Sequence, residues 1–503
     1  MLQPMIAQSR RRAAGATFLG MGATVTITVA QAFILIPLAL THLGAPLYGA
    51  WLGAFELLVW IQLLDCGIPN LMTQRIAAAL GGGDAAAASR WAMTGLLWLA
   101  VLAGLLTAIG CGTAPLVGGW VSVPLAQRST FTACFRLGVL ASAVLLIFNG
   151  FVGLSRGVQR TALVNVSQVT GVLASLLASA WLLMRGWGLW ALPVGLLVRS
   201  FLSLLGAVVF WWKLPHAVGG GLATPSRAFT GQVAHLAPSM SSASIGYLLA
   251  NNSEIFLVAA LFGPVTAATY ALTRRAIDGL RNLLDSVAWA VYGGFSHLVQ
   301  AADRHRARIV LGEIMWLRLA VACLCAAVAV AVNEAFVRLL FGASRFGGVW
   351  LTAAFALQMV LGGQAFLANF LLRAAGEVRE GSLWLAAEAV ARVAVMFGGL
   401  LAVGLAGAPS AAALVSAIAW RVMYGRLARV LPPSEGIPAS SSLTTYLIPF
   451  VIFSIGLAVA LLSPPQSWVQ LCWTCAVVGV VGASLLWLTR PRASGHGVLP
   501  RWL

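Results

Sequence analysis

The sequence predicts an all-α polytopic membrane protein with about 14 transmembrane helices, arranged as two six-helix lobes plus two C-terminal helices. Hydrophobic residues make up 60% of the 503-residue chain and charged residues only 9%, against about 25% charged residues in soluble domains. The apolar runs are long and continuous, as in Val139–Leu154 and Ala320–Val332, and lack the alternation of membrane β-strands. Because lipid offers the backbone no hydrogen-bond partners, such runs predict helices.

Glycine, proline and arginine interrupt the apolar runs and set the boundaries of the predicted helices. The first six helices are predicted at 16–40, 47–71, 91–117, 133–154, 161–184 and 187–212. Eight more are predicted at 234–262, 265–298, 311–340, 348–372, 383–406, 409–428, 443–463 and 468–489. The chain then divides into an N-terminal lobe (1–212), a polar, Gly-rich cytoplasmic linker (213–233), a C-terminal lobe (234–430) and two further helices with a tail (431–503).

The distribution of basic residues predicts the orientation of the helices. If the N-terminus is cytoplasmic, 19 basic residues fall in cytoplasmic segments and only three on the opposite side, at Arg128, Arg185 and Arg345. Short cytoplasmic loops are enriched in Lys and Arg, so this bias predicts that both termini are cytoplasmic. The same loops account for the formal net charge of +18, and we therefore expect no nucleic-acid partner.

A weak internal repeat links the two lobes. Leu43-Gly44 opens predicted helix two, and Phe262-Gly263 opens predicted helix eight 219 residues later. Asp65 and Asp285 close the same two stretches at nearly the same offset. Two six-helix halves in the same orientation would produce this pattern, as in transporters built from parallel repeats, although chance similarity of Ala/Gly-rich helices is the alternative.

Nine of the 31 basic residues fall inside predicted helices: Arg136, Arg199, Arg274, Arg275, Arg281, Arg318, Arg338, Arg392 and Arg421. Those near helix ends, such as Arg338 and Arg421, can extend their guanidinium groups to the lipid headgroups. An arginine at mid-membrane costs at least about 2.5–3.5 kcal/mol, so the others are expected to face a polar cavity or a partner.

Predicted helix eight carries most of this charge. Arg274, Asp278, Arg281 and Asp285 are spaced by four, three and four residues, which places them on one face of a helix. Arg275 lies beside this stripe and adds a positive charge. Predicted helix seven contributes Asn251, Asn252, Ser253 and Glu254, and predicted helix two contributes Glu56, Gln62 and Asp65.

Two interpretations of these polar residues remain open: ion pairs that join helices, or a water-filled cationic cavity for an anionic headgroup. For the cavity, the candidate substrate-binding residues are Arg274, Arg275, Arg281, Asn251 and Asn252, because arginine suits phosphate oxygens. The candidate sites for a coupling proton or sodium ion are the acids Glu254, Asp278, Asp285, Glu56 and Asp65.

The sequence contains no phosphate-binding loop of the Walker type, no metal-ligand spacing and no nucleophile elbow. We therefore predict no catalytic residues, no metal and no cofactor beyond a coupling H⁺ or Na⁺. Cys472 and Cys475 have the spacing of a redox motif, but they lie in a predicted lipid-embedded helix and are interpreted as packing residues. The chain is predicted to be a transporter and not an enzyme.

Several short motifs resemble those of polysaccharide and O-antigen flippases. In the first half these are Leu43-Gly44-Ala45-Pro46-Leu47-Tyr48-Gly49-Ala50-Trp51, Leu64-Asp65-Cys66-Gly67-Ile68, Arg75 and Gly83-Asp84. In the second half they are Glu254-Ile255-Phe256-Leu257, Phe262-Gly263-Pro264, Tyr270-Ala271-Leu272-Thr273 and Leu372-Arg373-Ala374-Ala375-Gly376. The resemblance covers most of the chain and points to the multidrug/oligosaccharidyl-lipid/polysaccharide exporter (MOP) superfamily.

This resemblance implies two six-helix lobes in a V shape that work by alternating access in a bacterial inner membrane. It implies a polyprenyl-diphosphate-linked oligosaccharide as substrate, moved from the cytoplasmic to the outer leaflet for surface polysaccharide such as O-antigen of lipopolysaccharide. The expected partners are the lipid bilayer, the lipid-linked oligosaccharide, a polysaccharide polymerase and glycosyltransferases. The alternatives are an ion-coupled exporter of cationic drugs, whose lumen should be acidic, and a membrane-embedded polymerase, ligase or acyltransferase of the same pathway.

Overall fold

The chain is an all-α polytopic membrane protein, and its architecture is seen in a computed structural model. The structure describes residues 2–81, 83–158, 160–214, 252–300, 304–431 and 443–489, together with short pieces at 224–225, 229–233 and 246. No strand occurs within these ranges. The chain divides into two compact units, Met1–Ala268 and Thr269–Leu503.

The first unit contains seven described α-helices, most of them close to the predicted spans. They are α1 (Leu2–Leu63), α2 (Ile68–Gly81), α3 (Ala85–Trp120), α4 (Arg128–Gly157), α5 (Ala162–Met184), α6 (Ala191–Trp212) and α7 (Glu254–Phe262). Helix α1 combines predicted helices one and two, and α7 is the end of predicted helix seven, whose remainder lies largely outside the described residues. The predicted cytoplasmic linker 213–233 is described only in part and stays a prediction.

The second unit begins within α8 (Pro264–Gln300) and continues through six more helices. They are α9 (Arg304–Phe341), α10 (Val349–Ala374), α11 (Val378–Val403), α12 (Gly407–Val430), α13 (Leu443–Leu462) and α14 (Trp468–Thr489). These bounds match the predicted spans to within a few residues at most ends, because apolar length is the main determinant of a helix in lipid.

Predicted helix two ends earlier than the sequence suggested. It was expected to run to residue 71, but α1 ends at Leu63 and α2 begins at Ile68. The Asp65 carboxylate accepts a hydrogen bond of 2.8 Å from the Gly67 N–H, and both Cys66 and Gly67 have positive φ angles of 52° and 69°. An aspartate that bonds the backbone two residues on competes with helix formation, and glycine tolerates the left-handed turn that follows.

The backbone supports one part of the predicted repeat. Gly44 (φ 71°, ψ 165°) and Gly263 (φ 83°, ψ 168°) share an unusual conformation, and helical residues that include Pro46 and Pro264 follow each of them. Because side chains are disfavoured at these angles, glycine is required at both breaks. The other part of the repeat differs, since Asp65 lies in a break between helices whereas Asp285 lies within the continuous helix α8.

Small residues allow the helices of the first unit to pack closely. Along the α5–α6 contact, a Cβ on Gly195 would overlap Ser179, and a Cβ on Gly206 would overlap Ser167. Helices α2, α3, α4 and α6 contribute to an apolar cluster whose largest members include Trp91, Phe148 and Trp211. In lipid there is no hydrophobic drive between helices, so such close packing of small residues is a main source of their attraction.

The second unit packs α10 against α12 and places the two C-terminal helices against α9. Gly456 of α13 contacts the α9 backbone at Ala327 so closely that no Cβ would fit, and Gly482 of α14 lies against Leu324 of α9. The predicted two additional helices therefore join the second unit mainly through small-residue contacts with α9.

Within the described residues, nine helices are long and apolar enough to cross a membrane. Helix α8 is long enough, but it is not among them, because it carries the charged residues 274, 275, 278, 281 and 285. Many large apolar side chains on the other helices are exposed, including Leu177, Trp212 and Val403, as expected where lipid is the solvent.

Candidate functional site

The first candidate site lies where α1 meets α7. Glu56 is buried, and its Oε2 accepts a hydrogen bond of 2.8 Å from the Phe256 N–H in the first turn of α7. Trp60, one turn further along α1, donates its indole N–H to the Asn252 carbonyl oxygen at 2.7 Å. Since the first N–H groups of a helix lack internal partners and carry partial positive charge, the Glu56 carboxylate stabilises the start of α7.

Two glycines of α1 allow it to approach both α7 and the start of α8 closely. A Cβ on Gly49 would overlap the carbonyl group of Pro264, and a Cβ on Gly53 would lie 2.8 Å from the Ala259 side chain. The contact therefore joins α1, just after the break at Gly44, to the two helices that flank the break at Gly263. The repeated sequence elements are thus packed against each other.

Two further predicted residues belong to this region. Glu254 is buried at the first position of α7, and Asn252 is half-buried just before that helix. Asn251, predicted as a substrate-binding residue, lies outside the described residues. Asp65 lies outside the apolar stretch Ile34–Gln62. Burial raises the pKa of the Asp65 carboxyl group, and the hydrogen bond from the Gly67 N–H offsets only part of that increase.

The second candidate site is the charged face of α8. The Arg274 Nε lies 2.8 and 2.9 Å from the two carboxylate oxygens of Asp278, four residues along the helix. Arg275 is exposed, and no acidic side chain in the described ranges forms an ion pair with it. The sequence left open which arginines are paired, and the structure shows that Arg274 is paired tightly with its neighbour.

One ion pair on this face joins α8 to another helix. The Asp285 Oδ1 lies 2.7 Å from a terminal guanidinium nitrogen of Arg318 on α9, and its Oδ2 lies 3.7 Å from the Arg281 Nε. Two arginines therefore share one carboxylate. The sequence identified Arg318 as an arginine within the membrane, but no spacing rule could show which acid it contacts on a different helix.

A further buried acid was not predicted from the sequence. Glu388 and Arg392, four residues apart on α11, are both buried, and Glu388 accepts a 2.9 Å hydrogen bond from the Ser416 hydroxyl of α12. The sequence analysis singled out Arg392 as a charge within a helix but overlooked Glu388 one turn before it.

We expect Glu388→Ala to destabilise the second unit by about 3–5 kcal/mol, because it leaves the buried Arg392 without its neighbouring carboxylate. The measurement is the thermal unfolding midpoint of the purified protein in detergent. Glu334→Ala is the matched control, since Glu334 also pairs with an arginine four residues on, but that Arg338 side chain is 50% exposed. Removing an exposed pair costs at most about 1 kcal/mol, so equal effects of the two changes would contradict the prediction.

Comparison with known proteins gives a fold but no close relative. No protein-family model matches the chain, and no curated protein matches it. Among solved structures, a lipid II flippase, MurJ, in an inward closed conformation aligns with a TM-score of 0.69 at 9% identity, covering 95% of this chain and 98% of that chain. An inward-facing multidrug resistance MATE family transporter of the MOP superfamily aligns with a TM-score of 0.60 at 15% identity, covering 81% and 94%.

A MATE transporter of Vibrio cholerae aligns over 84% of this chain and 98% of that chain, with a TM-score of 0.59 at 13% identity. These likenesses define the class of protein: the chain has the fold of polytopic membrane transporters. More narrowly, it is the fold shared by the MATE and MurJ transporters of the MOP superfamily. At these identities the fold alone is established, and it agrees with the superfamily to which the sequence motifs point.

Proposed function

We propose that this protein is a flippase of the MOP superfamily that moves a polyprenyl-diphosphate-linked oligosaccharide from the cytoplasmic to the outer leaflet of a bacterial inner membrane. The main observation that supports this proposal is the excess of arginine on the charged face of α8 and α9. Among the described residues, α8 and the adjoining part of α9 carry four arginines, Arg274, Arg275, Arg281 and Arg318, together with the acids Asp278 and Asp285. A net cationic group within membrane helices suits an anionic diphosphate.

The structural likenesses support a lipid-linked substrate in particular. The MurJ lipid II flippase covers 95% of this chain, whereas the MATE transporters cover 81–84%. An exporter of cationic drugs is the second candidate, because the MATE structures are described as multidrug resistance transporters. The excess of arginine over acid in the α8–α9 cluster disfavours it, since like charges repel a cationic substrate.

Exposure and burial divide the proposed residues by role. Arg275 is the exposed arginine of the charged face and the first contact proposed for the diphosphate. We propose that a coupling H⁺ or Na⁺ uses the acids near α7, Glu254 above all, because Glu254 is buried at the first position of that helix. The transported oligosaccharide would then serve surface polysaccharide synthesis, together with a polymerase and glycosyltransferases.

We expect Arg275→Ala to lower the initial rate of flipping about ten- to a hundredfold, since a charge-assisted hydrogen bond contributes about 1.5–3 kcal/mol. The measurement is flipping of a fluorescent polyprenyl-diphosphate oligosaccharide by the reconstituted protein in proteoliposomes. Arg338→Ala is the control, because Arg338 is half exposed near the end of α9 and pairs with Glu334.

The same proteoliposomes separate the competing functions. Uptake of a cationic dye with no flipping of the lipid-linked oligosaccharide would assign drug export and overturn the proposal. Chemical modification of the oligosaccharide without its translocation would assign a membrane-embedded enzyme. Flipping by wild type that Arg275→Ala leaves unchanged would remove Arg275 from the substrate site.

A further inference from the structure

Arg199 of α6 is an arginine for which the described structure holds no carboxylate. Its side chain is half-buried, and its Nε is buried and forms no hydrogen bond within the described residues. The first unit contains four acids, all of them described: Glu56, Asp65, Asp84 and Glu254. None of these four forms an ion pair with Arg199 in the part of the chain that the structure describes.

The depth of Arg199 in the membrane makes its charge costly. It lies near the middle of the apolar span Gly188–Trp212, roughly 16–20 Å from the two ends at 1.5 Å per residue. A guanidinium group at that depth is unfavourable without a carboxylate, a polar cavity or a bound anion. Because no described acid supplies the carboxylate, the charge requires one of the other two.

Arg199 lies on the side of α6 that faces away from lipid. The exposed side chains of Phe201, Leu205 and Trp212 mark the lipid-facing side of this helix. Helical residues advance by about 100° each, so Arg199, two positions before Phe201, lies about 160° around the helix from it. The Arg199 carbonyl oxygen would lie 2.8 Å from a Cβ at Gly171 of α5, so α5 packs against α6 at this point. The side chain of Arg199 therefore starts in the interior of the first unit.

The contact between α5 and α6 around Arg199 is polar but otherwise uncharged. Ser167, Ser175 and Ser179 of α5 and Ser203 of α6 are buried along it. Arg199 is the one charged residue in the two helices, both of which are fully described. Hydroxyl groups can donate hydrogen bonds to an anion without adding charge, so this contact offers polar neighbours to a negatively charged group.

We propose that Arg199 is an anion-binding residue of the first unit and that it binds a phosphate-type oxyanion. This inference rests on the proposed function, which makes the diphosphate of the lipid-linked oligosaccharide the expected source of the oxyanion. The planar guanidinium group presents paired N–H donors that match phosphate oxygens. The site is separate from the charged face of α8, because it belongs to the other unit and its arginine has no aspartate in contact.

Arg199→Gln separates anion binding from a structural role. We expect binding to weaken roughly ten- to a hundredfold, because the charge-assisted hydrogen bonds are lost. The thermal unfolding midpoint should stay the same or rise, since an unpaired buried charge destabilises the unliganded protein. The probes are inorganic pyrophosphate and a polyprenyl diphosphate in nanodiscs, titrated against monodisperse protein. Arg136→Gln is the control and should bind as wild type does, because Arg136 is exposed on α4 and bonds the Cys111 carbonyl oxygen.

A second pair of variants keeps Arg199 and changes only its neighbour. Ser203 follows Arg199 by four residues, the spacing at which Arg274 and Asp278 are in contact at 2.8 Å on α8. Ser203→Asp therefore supplies Arg199 with a carboxylate, and we expect it to weaken binding of both probes roughly ten- to a hundredfold. Ser203→Asn has the same shape without the charge and should bind to within about threefold of wild type.

The outcomes distinguish this inference from the proposed function. Wild-type binding that Arg199→Gln leaves unchanged, or equal binding by Ser203→Asp and Ser203→Asn, overturns the role of Arg199 and leaves the flippase proposal standing. A loss of binding with a lower unfolding midpoint in Arg199→Gln assigns a structural role and overturns it as well. Failure of wild type to bind either probe overturns both proposals.

The two probes identify the source of the oxyanion. Binding of the polyprenyl diphosphate alone assigns the lipid-linked form as the ligand, whereas binding of both probes assigns the diphosphate group itself. Either result supports the proposal when Arg199→Gln and Ser203→Asp weaken binding and the two controls do not.

Discussion

Gly49→Ala should destabilise the protein by about 3 kcal/mol or more, although the same change usually stabilises a helix by about 0.5–1 kcal/mol. The reason for the reversal is the contact between α1 and the start of α8. A Cβ at Gly49 would overlap the Pro264 carbonyl group, and a second neighbour, the Ala268 Cβ, would lie only 3.1 Å away. The overlapped atoms belong to the backbone, so the helices must separate, and overpacking of this kind costs up to 3 kcal/mol or more.

The measurement for Gly49 is the amount of monodisperse protein and its thermal unfolding midpoint in detergent. Gly104→Ala on α3 is the control, because nothing lies within 4 Å of a Cβ at that exposed glycine. We expect the control to match or exceed wild type in stability, as glycine-to-alanine changes in open helical positions do. A stable Gly49→Ala protein with unchanged flipping would show that the α1–α8 contact is not tight in the membrane.

Glu56→Ala should cost about 1–3 kcal/mol, because it leaves the N–H of half-buried Phe256 without the acceptor it has at 2.8 Å, the carboxylate of buried Glu56. The loss should fall on α7, whose preceding residue Ser253 provides no side-chain cap. Glu56→Gln keeps a side-chain carbonyl oxygen at the same length, so we expect it to retain most of the stability. The thermal unfolding midpoint of each variant measures the difference.

The Glu56 pair of variants also tests a role predicted from the sequence. Glu56 was a candidate for binding the coupling ion, and that prediction remains open. If Glu56 only caps α7, Glu56→Gln flips the lipid-linked oligosaccharide at close to the wild-type rate, with its dependence on the ion gradient unchanged. If Glu56 binds the coupling ion, Glu56→Gln folds normally but loses gradient-driven flipping, because an amide neither titrates nor carries charge.

Helix positions could be predicted well, and the places where prediction failed have local causes. Apolar length and the interruptions at glycine and proline placed α3 to α6 and α8 to α14 within a few residues at most ends. The break at Asp65 and Gly67 was missed because an aspartate near a helix end looks the same in sequence whether it faces a cavity or turns the chain. The cytoplasmic orientation of the termini stays a prediction from the arginine bias.

The candidate site was only partly predictable. The spacing of Arg274, Asp278, Arg281 and Asp285 placed them on one face of a helix, as the structure has them. Partners on other helices carry no such signal, because the contact between Asp285 and Arg318 depends on how α8 and α9 pack. The hydrogen bond from the Phe256 N–H to Glu56 likewise joins residues that are 200 positions apart in the sequence.

The sequence by itself therefore determined that the helices lie in lipid, where most of them begin and end, and that arginine exceeds acid within them. Those properties follow from composition and from the periodicity of a single helix. Only the tertiary structure decided which charges neutralise each other, because an ion pair forms over a few ångströms and so depends on the packing of separate helices. Gly49 and Gly363 control the packing of the helices because neither has a side chain. The Pro264 carbonyl group can therefore approach α1 at Gly49, and the Arg318 guanidinium group can approach α10 at Gly363.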